Sequence, residues 1–338
     1  MFLEDISGGR QVIRSAALCF TDAGQKLAES IPGLKVYRYG RDFSDSRYQV
    51  EKLFSGQHSV SAVVFFSSVG IAVRLVAPYA ADKMTDPAVI VVNDTAQFVI
   101  PILSGHMGRA NDLAWKLAEL LEAQPVITTA SDHRDGIEPP DLWALREGYT
   151  LLNKGDVKKV TAAIVAGGKP ERVLSGNTLV WKVGDNPSVA VSHQKEVTAS
   201  MTPQKYVVGL GCRREVDPED MRRFVDSQFA QIGIDRKDVF KICSIDRKAE
   251  ETALLDLAQD MNRPFVVFSA EHLNRIKGVF SSSEFVSSVA GTNNVCERSA
   301  LAGCAPWGGK LIIRKIADHG MTIAIAERIL SSEAEKNK

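Results

Sequence analysis

The residues best suited to chemistry in this chain are His106 and its small neighbours, in the stretch VIPILSGHMGRANDLAWKLAEL, Val99 to Leu120. Histidine exchanges protons most readily near neutral pH, so His106 reads as a candidate general acid or base. Ser104, Gly105, His106, Met107 and Gly108 form the turn between an apolar strand ending at Leu103 and a helix from Ala110. In that helix Leu113, Ala114, Leu117, Ala118 and Leu121 recur at helical spacing. Such a turn presents backbone N–H groups at the positive end of a helix, where an anion or a developing oxyanion can be held. The alternative is a plain helix start, with Ser104 or His106 closing the turn and Asp112 complementing the dipole. Both readings stay open on the local residues. The stretch matches neither G-x-x-x-x-G-K-[ST] nor G-x-S-x-G, which excludes a Walker loop and an esterase elbow.

In open α/β sheets ligands collect beyond the carboxyl ends of the strands, so residues at other strand ends join the candidates. SVGIAVRLVAPYAADKMTDP supplies Gly70 at a helix start, Arg74 one turn on, and Lys83 with Asp86 in the polar loop before the next strand. Arg74 can equally be a solvated surface residue, and Lys83 and Asp86 a mutual ion pair. The adjacent Arg109 and Asn111 belong to the first turn after SGHMG. PVITTASDHRDG sets Thr129, Ser131 and Asp132 after a strand, where they suit a polar ligand or an ordinary turn.

VVGLGCRREVDPEDM ends a strand in Gly209, Gly211 and Cys212, without the third glycine of a dinucleotide fingerprint. At Cys212 a buried, inert thiol competes with a nucleophile. The neighbouring Arg213 and Arg214 suit bidentate carboxylate binding. Ser269 in VVFSAEHL and Glu297 in NNVCERSALAG stand at helix starts, as caps or as ligand contacts. The cysteines and histidines show no ligand spacing, so no protein-bound metal is expected.

The elements that must position these residues follow from periodicity. From Val12 to Thr129, β-rich runs (VIRSAALCF, SAVVFFSS, AVIVVN, PVITT) alternate with helical stretches at Asp22 to Ser30, Val69 to Ala81 and Arg109 to Glu122. That alternation marks a parallel, doubly wound α/β sheet. Between about Pro139 and Gln204 the pattern weakens under Gly, Pro and Asn, as in a small middle domain or an elaborated linker. From Lys205 the alternation resumes. The expected fold class is α/β, with two open, mainly parallel α/β domains joined by a small middle segment. The expected boundaries are 1–139 for the N-terminal domain carrying SGHMG, 140–203 for the middle segment and 204–332 for the C-terminal domain.

The chain has 338 residues, formal net charge +0, 45% hydrophobic and 24% charged residues, which describes an ordinary globular protein of two or three domains. A balanced charge gives no overall field for nucleic acid or an acidic membrane, so recognition of an anion must use local basic clusters. Five widely spaced cysteines without a C-x-x-C pair argue against a disulfide scaffold or a structural zinc site and fit a reducing cytoplasm. MFLEDISGGR carries acids where a secretory signal is basic and then apolar, and no apolar run approaches a membrane span. A soluble, cytoplasmic protein is expected.

Together, GIAVRLVAPYAADKMTDPAVIVVND, VIPILSGHMGRANDLA and PVITTASD, followed by VVGLGCRR, SIDRKAEE, VVFSAEHL and VCERSALAG, resemble the cobalt-precorrin-5A hydrolase family, CbiG. The C-terminal half is similar to the separate protein CobE of cobalamin biosynthesis. The resemblance implies hydrolytic opening of the ring A δ-lactone of cobalt-precorrin-5A, with loss of acetaldehyde, to give cobalt-precorrin-5B in the anaerobic route. It implies no cofactor of the protein's own, the cobalt being carried by the substrate. Such a reaction needs an activated water, a stabilised oxyanion and proton management. On this reading His106 is the general base or acid, the SGHMG amides and Lys83 hold the oxyanion, and Asp132 orients His106 or water. The implied partner is a cobalt-containing tetrapyrrole fringed with carboxylates, which gives Arg74, Lys83, Arg109, Arg213 and Arg214 a common purpose, with neighbouring pathway enzymes as further partners. The competing reading is a non-catalytic carrier of a corrinoid intermediate.

Overall fold

The computed structural model describes residues 1–55, 60–82, 85–128, 139–165, 167–175, 177–183, 197–281 and 291–330. The chain forms two compact units, one of Met1–Leu3 with Ile13–Gly136 and one of Glu4–Val12 with Ile137–Lys338. It opens on two three-residue strands, β1 (Phe2–Glu4) and β2 (Arg10–Val12).

The first unit is built on β3 (Ser15–Cys19), β4 (Leu34–Arg38), β5 (Ala62–Phe66), β6 (Ala88–Val92), β7 (Phe98–Leu103) and β8 (Gln124–Pro125), in the order β4-β3-β5-β6-β7-β8. β3, β5 and β6 are buried at every position, as strands covered on both faces must be. Helices α1 (Asp22–Glu29) and α4 (Ala110–Leu121) cover one face, sharing a core with Ala17, Val64, Phe66 and Ile90. Helices α2 (Ser46–Ser55) and α3 (Val69–Val76) cover the other, packing on Leu18, Val63, Phe65 and Val91.

β4, β3, β5 and β6 run parallel, but β7 runs antiparallel to β6, with Val92 opposite Val99 and Val89 opposite Leu103. The reason lies in the connection. Only the five residues Asn93 to Gln97 separate the two strands, enough for a hairpin and too few for a parallel crossover, which takes a dozen or more. The SGHMG turn therefore leaves β7 at the edge where the parallel strands begin, not where they end.

In the second unit, α5 (Pro140–Glu147), β9 (Tyr149–Leu151), α6 (Lys154–Val165), β10 (Pro170–Ser175), β11 (Thr178–Val183) and β12 (Val197–Pro203) include a four-stranded antiparallel sheet. Trp143, Tyr149, Val160, Trp181 and Met201 form a core of its own.

There follow β13 (Tyr206–Cys212), α7 (Pro218–Ile232), β14 (Val239–Ile245), α8 (Thr252–Asp260), β15 (Phe265–Phe268), α9 (Ala270–Arg275), α10 (Val295–Ala302), β16 (Gly309–Asp318) and β17 (Met321–Arg328). Asp217 caps α7 by accepting from the N–H groups of Glu219 and Asp220, and Pro218 opens it, an Asp-Pro pair that is itself a helix-start signal. β13, β14 and β15 are parallel at the centre of a seven-stranded sheet, flanked by antiparallel β17 and β16 on one side and by β2 on the other.

Residues 4–12 thus join the second unit, whereas the expected boundaries put them in the first. Val266 pairs with Gln11, and the Asp5 carboxylate meets the Lys241 ammonium at 2.7 and 3.0 Å. Lys241 is only 1% exposed, so Asp5 supplies the counter-charge that its burial demands. Arg328 ties the two sheets of this unit together. Its guanidinium donates to the carbonyls of Gln204 (2.6 Å), Glu147 (2.5 Å) and Gly148 (2.9 Å) and lies over the Phe240 and Trp307 rings. Among the described residues no helix is long and apolar enough to cross a membrane.

Candidate functional site

The turn between β7 and α4 is tightly closed. Ala110 N–H donates to Ser104 O (3.2 Å), Asn111 N–H to Gly105 O (3.0 Å) and Arg109 N–H to His106 O (2.9 Å). Ser104 (φ +55°) and Arg109 (φ +61°) both occupy the left-handed region, which non-glycine residues enter at a cost. Both glycines stand where a side chain would collide. A Cβ on Gly108 would lie 2.6 Å from Ser104 Cβ and 3.2 Å from Ala88 N, and one on Gly105 would lie 2.8 Å from Asn111 Oδ1. Glycine is therefore required here for close backbone approach rather than for positive φ.

Two features of the turn suit an anionic ligand. Among the described residues, no acceptor takes the N–H of Gly105, Met107 or Gly108, and all three residues are half-buried at the N-terminal end of a 12-residue helix. Ser104 is 8% exposed, and its Oγ also lacks a hydrogen-bond partner among the described residues. His106 is half-buried between these amides, and Arg109 Nε pairs with Asp112 at 2.7 Å.

Leu103 lies opposite Val89, so the turn shares an edge with the start of β6, two residues after Asp86. Asp86 accepts from Ala81 N–H at 2.9 Å, which shapes the loop leading into that strand. Lys83, Thr129, Ser131 and Asp132 lie outside the described residues. Gly70 sits at the opposite edge, because α3 starts where β5 ends, and Arg74 Nη1 reaches back to Gly70 O at 3.4 Å. In an all-parallel sheet Gly70 and His106 would lie at one edge; the antiparallel β7 separates them. The five-residue spacing of β6 and β7 was the signal in the sequence that shows this.

In the second unit the glycines of VVGLGC serve packing. A Cβ on Gly209 would fall 1.9 Å from Cys296 O in α10, and one on Gly211 2.7 Å from Thr322 Oγ1. Burial pushes the Cys212 thiol up to about 11 despite the nearby Lys248 ammonium, so it is not a thiolate near neutral pH. Arg213 and Arg214 are exposed beyond β13, and Lys248 holds this loop by donating to Arg213 O (3.1 Å) and Glu251 (2.7 Å).

Ser269 caps α9 by accepting from His272 N–H at 3.1 Å. Glu297 is fully buried and accepts from Ser281 N–H (3.0 Å), Ser281 Oγ (2.9 Å) and Lys315 N–H (2.8 Å). Burial alone would raise its pKa, but these hydrogen bonds bring it below the ordinary carboxylate value. The carboxylate thus lies inside the fold, held by two backbone N–H groups and one hydroxyl. All five cysteines are free, and among the described residues no group of three or more His, Cys, Asp or Glu is placed to hold a metal.

The chain matches two family descriptions, Cobalamin synthesis G N-terminal over residues 50–132 and Cobalamin synthesis G C-terminus over residues 206–326. It is 29% identical over 354 residues to the cobalt-precorrin-5A hydrolase of Priestia megaterium, covering 92% of this chain and 94% of that one. To the cobalt-precorrin-5A hydrolase of Salmonella typhimurium it is 30% identical over 298 residues, covering 78% and 81%. To Protein CobE of Sinorhizobium it is 32% identical over 121 residues, covering 36% of this chain and 78% of that one.

Proposed function

The chain belongs to the cobalamin synthesis G family, and on that premise we propose that it is a cobalt-precorrin-5A hydrolase that opens the substrate's ring A δ-lactone with loss of acetaldehyde. The observation that carries this reading is its similarity, over most of its length, to two proteins named for that activity. The SGHMG turn is the part of the described chain that suits the chemistry.

Water adds to the lactone carbonyl, and the resulting oxyanion accepts from the N–H groups of Gly105, Met107 and Gly108, reinforced by the α4 dipole. The His106 imidazole takes a proton from the attacking water and returns it to the departing ring oxygen as the acyl C–O bond breaks. The products of this step are a carboxylate and an alcohol. As the alcohol gives up its proton, its C–O becomes the C=O of acetaldehyde, and the breaking C–C bond leaves its electron pair on the macrocycle, which takes up a proton. Lys83, as a second oxyanion donor, and Asp132, as the group orienting His106 or water, complete the proposal. The cobalt belongs to the substrate, and no resident cofactor is invoked.

Turnover in water enriched in oxygen-18 tests the bond assignment. One labelled oxygen in the ring A acetate of cobalt-precorrin-5B is expected, and an unlabelled carboxylate would rule out attack by water at the lactone carbonyl.

A further inference from the structure

The face of the first sheet covered by α2 and α3 is not covered to its end. Those helices pack on β3, β5 and β6, whereas α4 lies against the other face. Next in strand order comes β7, where Ile100 is opposite Val91, a member of the α2 and α3 core, and Ile102 packs against the same core. Alternation places Phe98 on that face too. Phe98 is 40% exposed, and Ile100 and Ile102 are half-buried. The result is an apolar row about 13 Å long by strand rise, and it leads by way of Leu103 into Ser104 and the SGHMG turn.

α3 adds a second uncovered surface. Val69 and Val73, one turn apart, are exposed, as are Gly70 and Arg74. The Arg74 guanidinium has one hydrogen bond, a long one to Gly70 O, and no carboxylate partner among the described residues. A cation without a counter-ion in an apolar surface calls for a ligand that is itself apolar over its body and anionic at its rim.

Resting on the hydrolase reading, we propose that the row Phe98, Ile100 and Ile102 with the outer side of α3 is the bed for one face of the tetrapyrrole macrocycle, Arg74 taking a peripheral carboxylate. A ring lying along β7 has one edge at His106, which is where a lactone must be for attack. The residues of this bed act through binding, so their loss raises KM and spares kcat.

The test uses the intact chain and three variants: the pair Phe98→Gln with Val73→Gln, Arg74→Gln alone, and Trp115→Gln on α4, an exposed aromatic on the helix of the opposite face. Steady-state acetaldehyde release from cobalt-precorrin-5A and absorbance titration of its binding are both recorded. The pair is expected to raise KM and Kd about tenfold, equivalent to about 1.4 kcal/mol, with kcat within about twofold. Arg74→Gln is expected to raise KM and Kd severalfold, and Trp115→Gln to change neither. Unchanged KM and Kd in the pair, or an equal rise in Trp115→Gln, overturns the proposal. So does a pair that dissociates a dimer while binding normally, since a second copy then covers the face. If the pair fails to unfold cooperatively, Arg74→Gln decides the question. Absent turnover in the parent protein refutes the hydrolase reading alone, because the titration still reports on the bed.

Discussion

Replacing Gly108 by alanine probes the turn with a single methyl group. Its Cβ would meet Ser104 Cβ at 2.6 Å, and ordinary contact needs about 3.4 Å, so the two sides of the turn must part by about 0.8 Å. Neither side yields easily: Ser104 O stands at 3.0 Å and Ala88 N, at the start of a fully buried strand, at 3.2 Å. Overpacking of this kind costs about 1–3 kcal/mol. The displaced atoms include the amides proposed to hold the oxyanion, and misplacement by about 1 Å can lower a rate about 100-fold. Gly108→Ala is therefore expected to lower kcat/KM for acetaldehyde release by roughly two orders of magnitude while urea unfolding shows a loss of about 1–3 kcal/mol. Gly155→Ala is the control, since nothing lies within 4 Å of its Cβ and it sits in α6, where alanine is favoured by up to about 1 kcal/mol. A Gly108→Ala protein that loses stability yet keeps full kcat/KM would refute the claim that the turn's backbone takes part in the reaction.

Three further outcomes follow from the buried charges and the thiol. Asp5→Asn strands the Lys241 ammonium in the core and is expected to cost about 3–5 kcal/mol by urea unfolding at pH 7. Burial alone would raise the Asp5 carboxyl, but Lys241 and Ser7 hold it below its ordinary value; its contribution is thus present above the unfolded pKa, near 3.9, and fades as pH falls through the lower folded value. Unfolding curves at pH 7 and pH 3 should show the parent losing more stability than Asp5→Asn. Arg328→Met removes the donor to three backbone carbonyls and is expected to destabilise by about 3 kcal/mol or more, read as a lower urea midpoint. Cys212, with its thiol pushed up to about 11, should alkylate slowly with iodoacetamide at pH 7.5 and much faster above pH 10 by peptide mass mapping, and Cys212→Ser should retain activity.

Where local signals suffice, the fold was legible. The continuous apolar runs of β3, β5 and β6 announced fully buried parallel strands, and Asp217 with Pro218 marked the start of α7. The direction of β7 was also written in the chain, in the short interval between Val92 and Phe98, but alternating α/β periodicity masked it. The edge on which SGHMG lies depended on that interval. Other features leave no local trace. Arg10 and Gln11 pair with a strand about 250 residues away, and Asp5 finds Lys241 only after that pairing exists. Glu297 looks like any charge near a helix start until Ser281 and Lys315 are seen to enclose it. Gly105, His106 and Gly108 were visible as types, whereas the amides that no acceptor takes among the described residues came from the geometry of the turn.

The central claim places hydrolysis at His106 and its turn. Its most direct test is acetaldehyde release from anaerobically prepared cobalt-precorrin-5A by the intact protein and by His106→Ala, at substrate concentrations that saturate both by absorbance titration. Rapid release by the intact protein, with release by the variant lowered by about 100-fold or more and binding preserved, is the predicted result. Equal release by both would remove His106 from the chemistry, and binding without release by the intact protein would make it a carrier.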